Sequence, residues 1–256
     1  MKHILYATTV FLLITLTGLS QDYHMAQYDA NILQLNPALT GERIGNEKGM
    51  RFHLNYRDQR ANFSKSAGSY KSIAEGFDIN VGKRFSIGQY YMNTTSISKV
   101  FRTNNFMLSG GYKIINDPTD KQNLSVGLQL GVLTKSYDNQ QLTYGAQYDP
   151  NDPDGFNEAL PTGETVGRRS NVHFSTNAGL YYRIHLLDNT LSVYSGAAVY
   201  NISKRYETIL GERGKVPLKF TIHAGVMYKI DNQLHCNLRF CFNNKTRQTN
   251  SIWECW

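Results

Sequence analysis

The chain has 256 residues, 27 basic against 20 acidic, for a formal net charge of +7 at pH 7. The basic residues do not gather into a stripe; Lys83-Arg84, Arg168-Arg169 and Lys204-Arg205 are the densest groups, so nucleic-acid binding has no support. Composition leans to β-structure, with 17 Tyr, 12 Phe and 21 Gly against 2 Trp and 6 Pro.

The chain opens with a targeting segment. Lys2 and His3 precede an apolar run from Ile4 to Leu16, and Gly18-Leu19-Ser20 offers small residues for a signal peptidase. Residues 1–20 therefore read as a cleaved signal peptide, with the mature chain beginning at Gln21. No later window is long and apolar enough for a membrane-crossing helix, which needs about 20 such residues. Residues 21–48 are polar and turn-rich, and read as an N-terminal periplasmic or plug segment. Asn36-Pro37 sets an extended residue before a fixed φ, and Gly41 allows a positive φ.

From residue 49 onward the signal is period two. Met50–Arg57 reads as a strand. Phe77, Ile79 and Val81 alternate with Asp78, Asn80 and Gly82, and Phe85–Met92 follows. Phe106, Leu108, Gly110, Tyr112 and Ile114 alternate with Met107, Ser109, Gly111 and Lys113, and Asn116-Asp117-Pro118 marks a turn. From Leu124 to Val132 the alternation is strict, at the length of one tilted membrane-crossing strand. Residues 138–171 read as a long loop around Asp149-Pro150-Asn151-Asp152-Pro153-Asp154-Gly155, of the size that is usually functional or mobile. Alternation resumes over Phe174–Tyr182, Leu191–Tyr200, Phe220–Tyr228 and Leu234–Phe240, with Asp188-Asn189 as a turn. About ten strands result.

Asp78, Lys113, Arg183, Lys229 and Arg239 all fall on the polar face, which a sandwich turns to water and a barrel turns to its lumen. With the signal peptide and no helical segment, the expected fold is all-β: an antiparallel transmembrane β-barrel over 49–256, preceded by a cleaved signal peptide. Tyr112, Tyr182, Tyr200 and Tyr228 are expected to cap strands at the membrane–water interface.

No catalytic set is visible: the 7 His are scattered, and no HExxH or G-x-S-x-G occurs. The Asp149–Gly155 loop fails the EF-hand pattern, with Pro153 at position 5 and Leu160 at position 12; a looser carboxylate calcium site is the alternative there. The expectation is a non-enzyme without cofactor or metal. Cys236 and Cys241 lie five apart and point to opposite faces of one strand, and with Cys255 they make an odd number, so one thiol stays free.

Gln27-Tyr28, then Leu35-Asn36-Pro37-Ala38-Leu39-Thr40-Gly41, then Tyr56-Arg57-Asp58-Gln59 resembles the opening of the PorP/SprF family. These are outer-membrane proteins of the type IX secretion and gliding system of Bacteroidetes. Gly110–Ile114 with the strand at 124–133, Tyr148-Asp149-Pro150-Asn151-Asp152-Pro153, and Ala178-Gly179-Leu180-Tyr181-Tyr182 are similar to that family too, in the same order, from about residue 21 to about residue 243. Arg60 stands where the family usually has Trp, and Ser251–Trp256 does not look like a family strand, so a C-terminal truncation is the favoured account of the tail.

The resemblance implies an outer-membrane location and contact with lipid. It also implies, as partners, type IX components, a large secreted adhesin, or both. The alternatives are a general porin and a truncated, non-functional paralogue. The residues carried over as family-motif or partner-contact candidates are Gln27, Tyr28, Asn36, Pro37, Ala38, Gly41, Tyr56, Arg57, Gln59, Asp149, Asn151 and Asp152.

Overall fold

The structure is a computed structural model. It describes residues 31–42, 49–59, 70–95, 100–119, 121–138, 142, 144–152, 155–157, 159–163, 168–187, 190–203, 206–207, 214–216, 218–230, 235–243 and 248–255. Residues 1–20, Gln27 and Tyr28 lie outside them.

Twelve strands follow one another: β1 (Met50–Gln59), β2 (Tyr70–Val81), β3 (Phe85–Thr95), β4 (Phe101–Asn116), β5 (Gln122–Asp138), β6 (Arg168–Leu186), β7 (Leu191–Tyr200), β8 (Tyr206–Glu207), β9 (Gly214–Lys215), β10 (Lys219–Lys229), β11 (His235–Asn243) and β12 (Gln248–Cys255). Ten of them form one antiparallel sheet in the order β1-β2-β3-β4-β5-β6-β7-β10-β11-β12, and β8 and β9 make a separate ribbon. Every main-sheet strand therefore pairs with its neighbour in that order. The expected alternations fall inside strands, except that Leu234, the first residue of the last one, lies outside the described residues. The strands β5 and β6 run further than expected, so the long link is 139–167 and not 138–171. The two pair from Gln122↔Ile184 to Asp138↔Arg168, because each extra residue finds a ladder partner across the gap.

Ile114 is exposed, as the alternation of β4 expects, but the ladder breaks there. The register slips between Lys113 and Ile115, a bulge that leaves Ile114 as the extra residue. The end of the chain, which does not look like a family strand by sequence, pairs into the sheet: β12 runs beside β11 from Asn243↔Gln248 to Cys236↔Cys255. A strand facing lipid needs a partner for its backbone groups, and this pairing supplies one.

Side-chain burial settles what alternation left open. On β5, Leu128 and Leu130 are 50% and 55% exposed, whereas Gln129 between them is fully buried. Phe52, Phe85, Ile87, Leu108, Phe174 and Ile222 are exposed on the same outer surface, while Asp78, Asn80, Ser109, Asn123, Ser125, Asn177 and Asn237 are buried. The polarity is inside-out relative to a water-soluble sandwich. It is the pattern of a wall with apolar residues to lipid and polar residues to the lumen. Tyr182 and Tyr228 stand on the outer side, but Tyr200 does not. It shares the inward parity of Ala198 and Tyr194, is buried, and donates its hydroxyl to the carbonyls of Gln34 and Leu35.

The sheet curls around residues 31–42. That short stretch bonds to β1 through His53, to β2 through Asp78, to β5 through Gln129, to β7 through Tyr200 and to β10 through His223. Only a wall bent round on itself brings these strands to one segment. Among the described residues, no register joins β1 to β12.

At one end β2–β3, β4–β5, β6–β7 and β10–β11 are joined by links of three to five residues; at the other, 60–69, 139–167 and 201–218 are longer, while 96–100 and 244–247 are as short. In the 117–121 turn, Asp117 accepts from the Thr119 backbone N–H at 2.9 Å and from its hydroxyl at 2.8 Å. Those two bonds hold its carboxyl below the usual carboxylate range.

Candidate functional site

The candidate site is the inner segment and its seat. It begins as a single helical turn, α1 (Ile32–Leu35), and continues as a 3-10 turn, Pro37–Leu39. Asn36 joins them in extended conformation, as a residue before proline must. Its side-chain oxygen accepts the Ala38 N–H at 2.9 Å, capping the 3-10 turn. Its amide nitrogen donates to Leu180 O at 2.9 Å and Ala197 O at 3.4 Å, and lies 3.0 Å from His223 Nε2. One fully buried side chain thus ties the turn to β6, β7 and β10.

The wall is shaped for close approach. Registers Ser86↔Gly111, Gly111↔Gly127, Gly127↔Gly179 and Gly179↔Ala198 put small residues in one row across five strands. A Cβ at Gly127 would lie 2.2 Å from the carbonyl carbon and oxygen of Pro37 and 2.4 Å from the Ala38 nitrogen. A Cβ at Gly179 would lie 1.9 Å from Asn36 Oδ1. The backbone of the inner segment therefore occupies the space that side chains would take.

Apolar contacts complete the seat. Leu33 packs with Ala74, Tyr90, Met92 and Met107, and Ala38 and Leu39 pack with Tyr181 and Tyr194. Gln129 Nε2 donates to Leu33 O at 2.7 Å.

At the far end of the segment, charge takes over. Gly41 has φ +72°, and its N–H donates to Asp78 Oδ2 at 2.7 Å. Asp78 also pairs with Arg51, whose Nε is 3.0 Å and Nη2 2.5 Å away. The same guanidinium donates to Glu42 O at 2.9 Å and Leu39 O at 3.2 Å. Glu42, 1% exposed, accepts from Asn123 Nδ2 at 2.6 Å and lies 3.2 Å from Arg183 Nε. Two carboxylates and two guanidiniums thus sit inside the wall as two pairs, each with extra hydrogen bonds, the condition under which buried charge is tolerated. Beside the segment lies a cavity of about 200 Å³ lined by Ile32, Leu35, Leu39, Tyr181, Tyr194, His223 and Arg239 among others.

The expected site residues divide. Asn36, Pro37, Ala38 and Gly41 come together in the seat. Tyr56, Arg57 and Gln59 lie on β1, with Tyr56 outward and 63% exposed. Asp149, Asn151 and Asp152 sit apart in the long link. There Asp149 Oδ1 accepts from the Asn151 N–H at 2.9 Å, and Tyr148 and Phe156, on either side of 149–155, form an isolated bridge with rings 5.9 Å apart. Among the described residues no group of His, Cys, Asp or Glu is placed to hold a metal. Sequence reasoning missed Arg51, Asn123, Gln129, Tyr200 and His223 as partners of the segment. Their place in the alternation of each strand was visible, but not which side faced inward or what they met there.

The family profile described as type IX secretion system membrane protein PorP/SprF matches residues 17–252, nearly the whole chain. The chain belongs to the PorP/SprF family. It is thus an outer-membrane protein of the type IX secretion system. No curated protein matches the sequence. Among solved structures, the β domain of the Bordetella autotransporter BrkA is similar at 16% identity and TM-score 0.38, over 82% of this chain and 83% of that one. The translocator domain of the autotransporter NalP from Neisseria meningitidis is similar at 14% identity and TM-score 0.41, over 83% and 75%.

Proposed function

We propose that this PorP/SprF protein is a non-catalytic docking component, dedicated to the secretion or surface anchoring of one large adhesin, with residues 21–48 acting as its internal plug. One observation carries the reading: the lumen space is taken by Asn31–Glu42, held by hydrogen bonds to β2, β5, β6 and β7. A wall filled in this way suits a platform that binds a partner better than a pore that passes solutes. The short links match the periplasmic turns of outer-membrane barrels, so the 139–167 link with Asp149, Asn151 and Asp152 faces outward as the natural partner contact. A diffusion channel is the rival; its signature is a lumen ring of one charge, and the inward face here mixes Asp, Arg, Asn and Ser.

The test compares the surface proteome of a clean deletion strain with its parent. Loss of one large surface protein with other exports intact is expected. Loss of every type IX export would replace the dedicated role with a core anchor of the machinery. An unchanged surface would overturn both and leave the channel or a non-functional paralogue.

A further inference from the structure

We propose that Cys236 and Cys255 form a disulfide in the exported protein, and that it staples β12 to β11 at the open end of their hairpin. The observation is strand register. In the β11–β12 ladder Cys236 stands directly opposite Cys255. The two are far apart in sequence, and this pairing brings them level.

The kind of pair decides whether a bond fits. In an antiparallel ladder, opposite residues alternate between hydrogen-bonded pairs, with Cα atoms about 5.5 Å apart, and non-hydrogen-bonded pairs, about 4.5 Å apart with closer side chains. The Lys229 N–H donates to Thr190 O at 2.8 Å, so the odd-numbered residues of β10 turn their backbone groups to β7. The even-numbered residues turn theirs to β11, which makes Tyr228↔Cys236 a hydrogen-bonded pair. The backbone groups of Cys236 therefore point at β10, and Cys236↔Cys255 is a non-hydrogen-bonded pair. A disulfide spans Cα atoms roughly 4.4–6.8 Å apart, so this position admits one without backbone movement.

The third cysteine does not compete. Cys241 lies on the opposite face of β11, is buried, and stands opposite His223 of β10 and Asn250 of β12. The odd cysteine count of an exported chain thus resolves into one pair and one thiol.

An outer-membrane protein passes through the periplasm, where disulfides form and persist. The reaction is thiol–disulfide exchange, starting from Cys236 as the half-buried thiol of this structure. A thiolate of the pair attacks one sulfur of a periplasmic protein disulfide, the oxidant, and expels that protein's other sulfur as a thiolate. The second thiolate of the pair then displaces the oxidant from the mixed disulfide. One S–S bond forms here as one breaks there. The two cysteines lose two electrons and two protons, and the oxidant takes them up as two thiols.

The strand it fastens is the one most in need of it. The β11–β12 ladder has 8 residue pairs, against 17 between β5 and β6. Among the described residues the other edge of β12 joins no strand. The link 244–247 ties one end of this hairpin, and Cys236 and Cys255 lie at the other. The inference needs only the outer-membrane placement of the chain, and does not depend on the adhesin-dedicated role.

The experiment takes the full chain from its own outer membrane, with thiols blocked by N-ethylmaleimide before lysis and again after unfolding in urea. One modified cysteine per chain, Cys241, is expected without reductant, and three after reduction. Trypsin cuts after Arg239, Lys245 and Arg247, which puts the three cysteines on separate peptides. Mass spectrometry of the unreduced digest should show the Cys236 and Cys255 peptides joined, two hydrogens lighter than their sum. Cys241→Ser should leave the joined peptide and no modified cysteine. In protein refolded into lipid vesicles, the reduced form should exchange the amide hydrogens of Ile252 and Glu254 about a hundredfold faster than the oxidised form, the scale of a released loop constraint, with Gln129 unchanged. Their registers with Arg239 and Asn237 are the hydrogen-bonded positions of this ladder. Cys236→Ser combined with Cys255→Ser should match the reduced form. Three modified cysteines before reduction, a joined peptide that contains Cys241, or a link between two chains overturns the proposal. So does exchange at Ile252 and Glu254 that reduction leaves unchanged.

Discussion

Replacing Gly127 by valine should drive the inner segment off its seat. The new Cβ would meet the Pro37 carbonyl at 2.2 Å and the Ala38 nitrogen at 2.4 Å, and both are backbone atoms that no rotamer change can move. Overpacking a filled interior costs about 1–3 kcal/mol even where side chains can give way. Here the segment itself must shift, and with it the bonds of Asn36 to Leu180 and of Gln129 to Leu33. The readout is cleavage after Glu42 by a glutamate-specific protease, because that residue is 1% exposed while the segment is seated. Cleavage should accelerate about tenfold for each 1.4 kcal/mol of lost seating. Gly110→Val on the neighbouring strand is the control, since a Cβ there meets nothing within 4 Å. Equal cleavage in the two variants would mean that the row of small residues does not hold the segment.

Asp78→Ala should be the most destabilising single truncation of the interior. Asp78 is fully buried, pairs with Arg51 at 2.5 Å and accepts the Gly41 N–H at 2.7 Å. Removing one member of such a pair leaves an uncompensated charge and costs about 3–5 kcal/mol. The loss would be read as the fall in urea midpoint on refolding into vesicles. Removing both partners together, Asp78→Ala with Arg51→Met, should cost less than Asp78→Ala alone, since no charge is then stranded. A single-variant loss under about 1 kcal/mol, the scale of an exposed pair, would place this pair in water and not inside the wall.

These two sites show how much the sequence disclosed. The strands were legible because the wall has a different solvent on each side, which writes period two into every segment from Met50 to Phe240. Which side faces inward was not legible, because a soluble sandwich and a barrel alternate alike; buried Gln129 between exposed Leu128 and Leu130 decides it. The Asn36-Pro37 turn and the positive φ of Gly41 were readable as local chemistry. Their purpose was not, since Asn36 lies 187 positions from His223 and only strand register aligns Gly111, Gly127 and Gly179 under the segment. Tyr200 was misplaced for a related reason. An aromatic at a strand end fits the interface by composition, but its parity sends it inward to cap the carbonyls of α1.

The central claim is that the apolar face of this sheet lies in lipid and its polar face encloses the inner segment. It is tested most directly with single cysteines at each position from Leu124 to Val132, in a chain whose three native cysteines are serine, labelled with a polarity-sensitive fluorophore in vesicles. Lipid-borne nitroxides should quench labels at Leu124, Val126, Leu128, Leu130 and Val132, and spare those at Ser125 and Gln129. Quenching of the Leu128 and Leu130 labels by an aqueous quencher, or loss of the period-two alternation, would contradict the account.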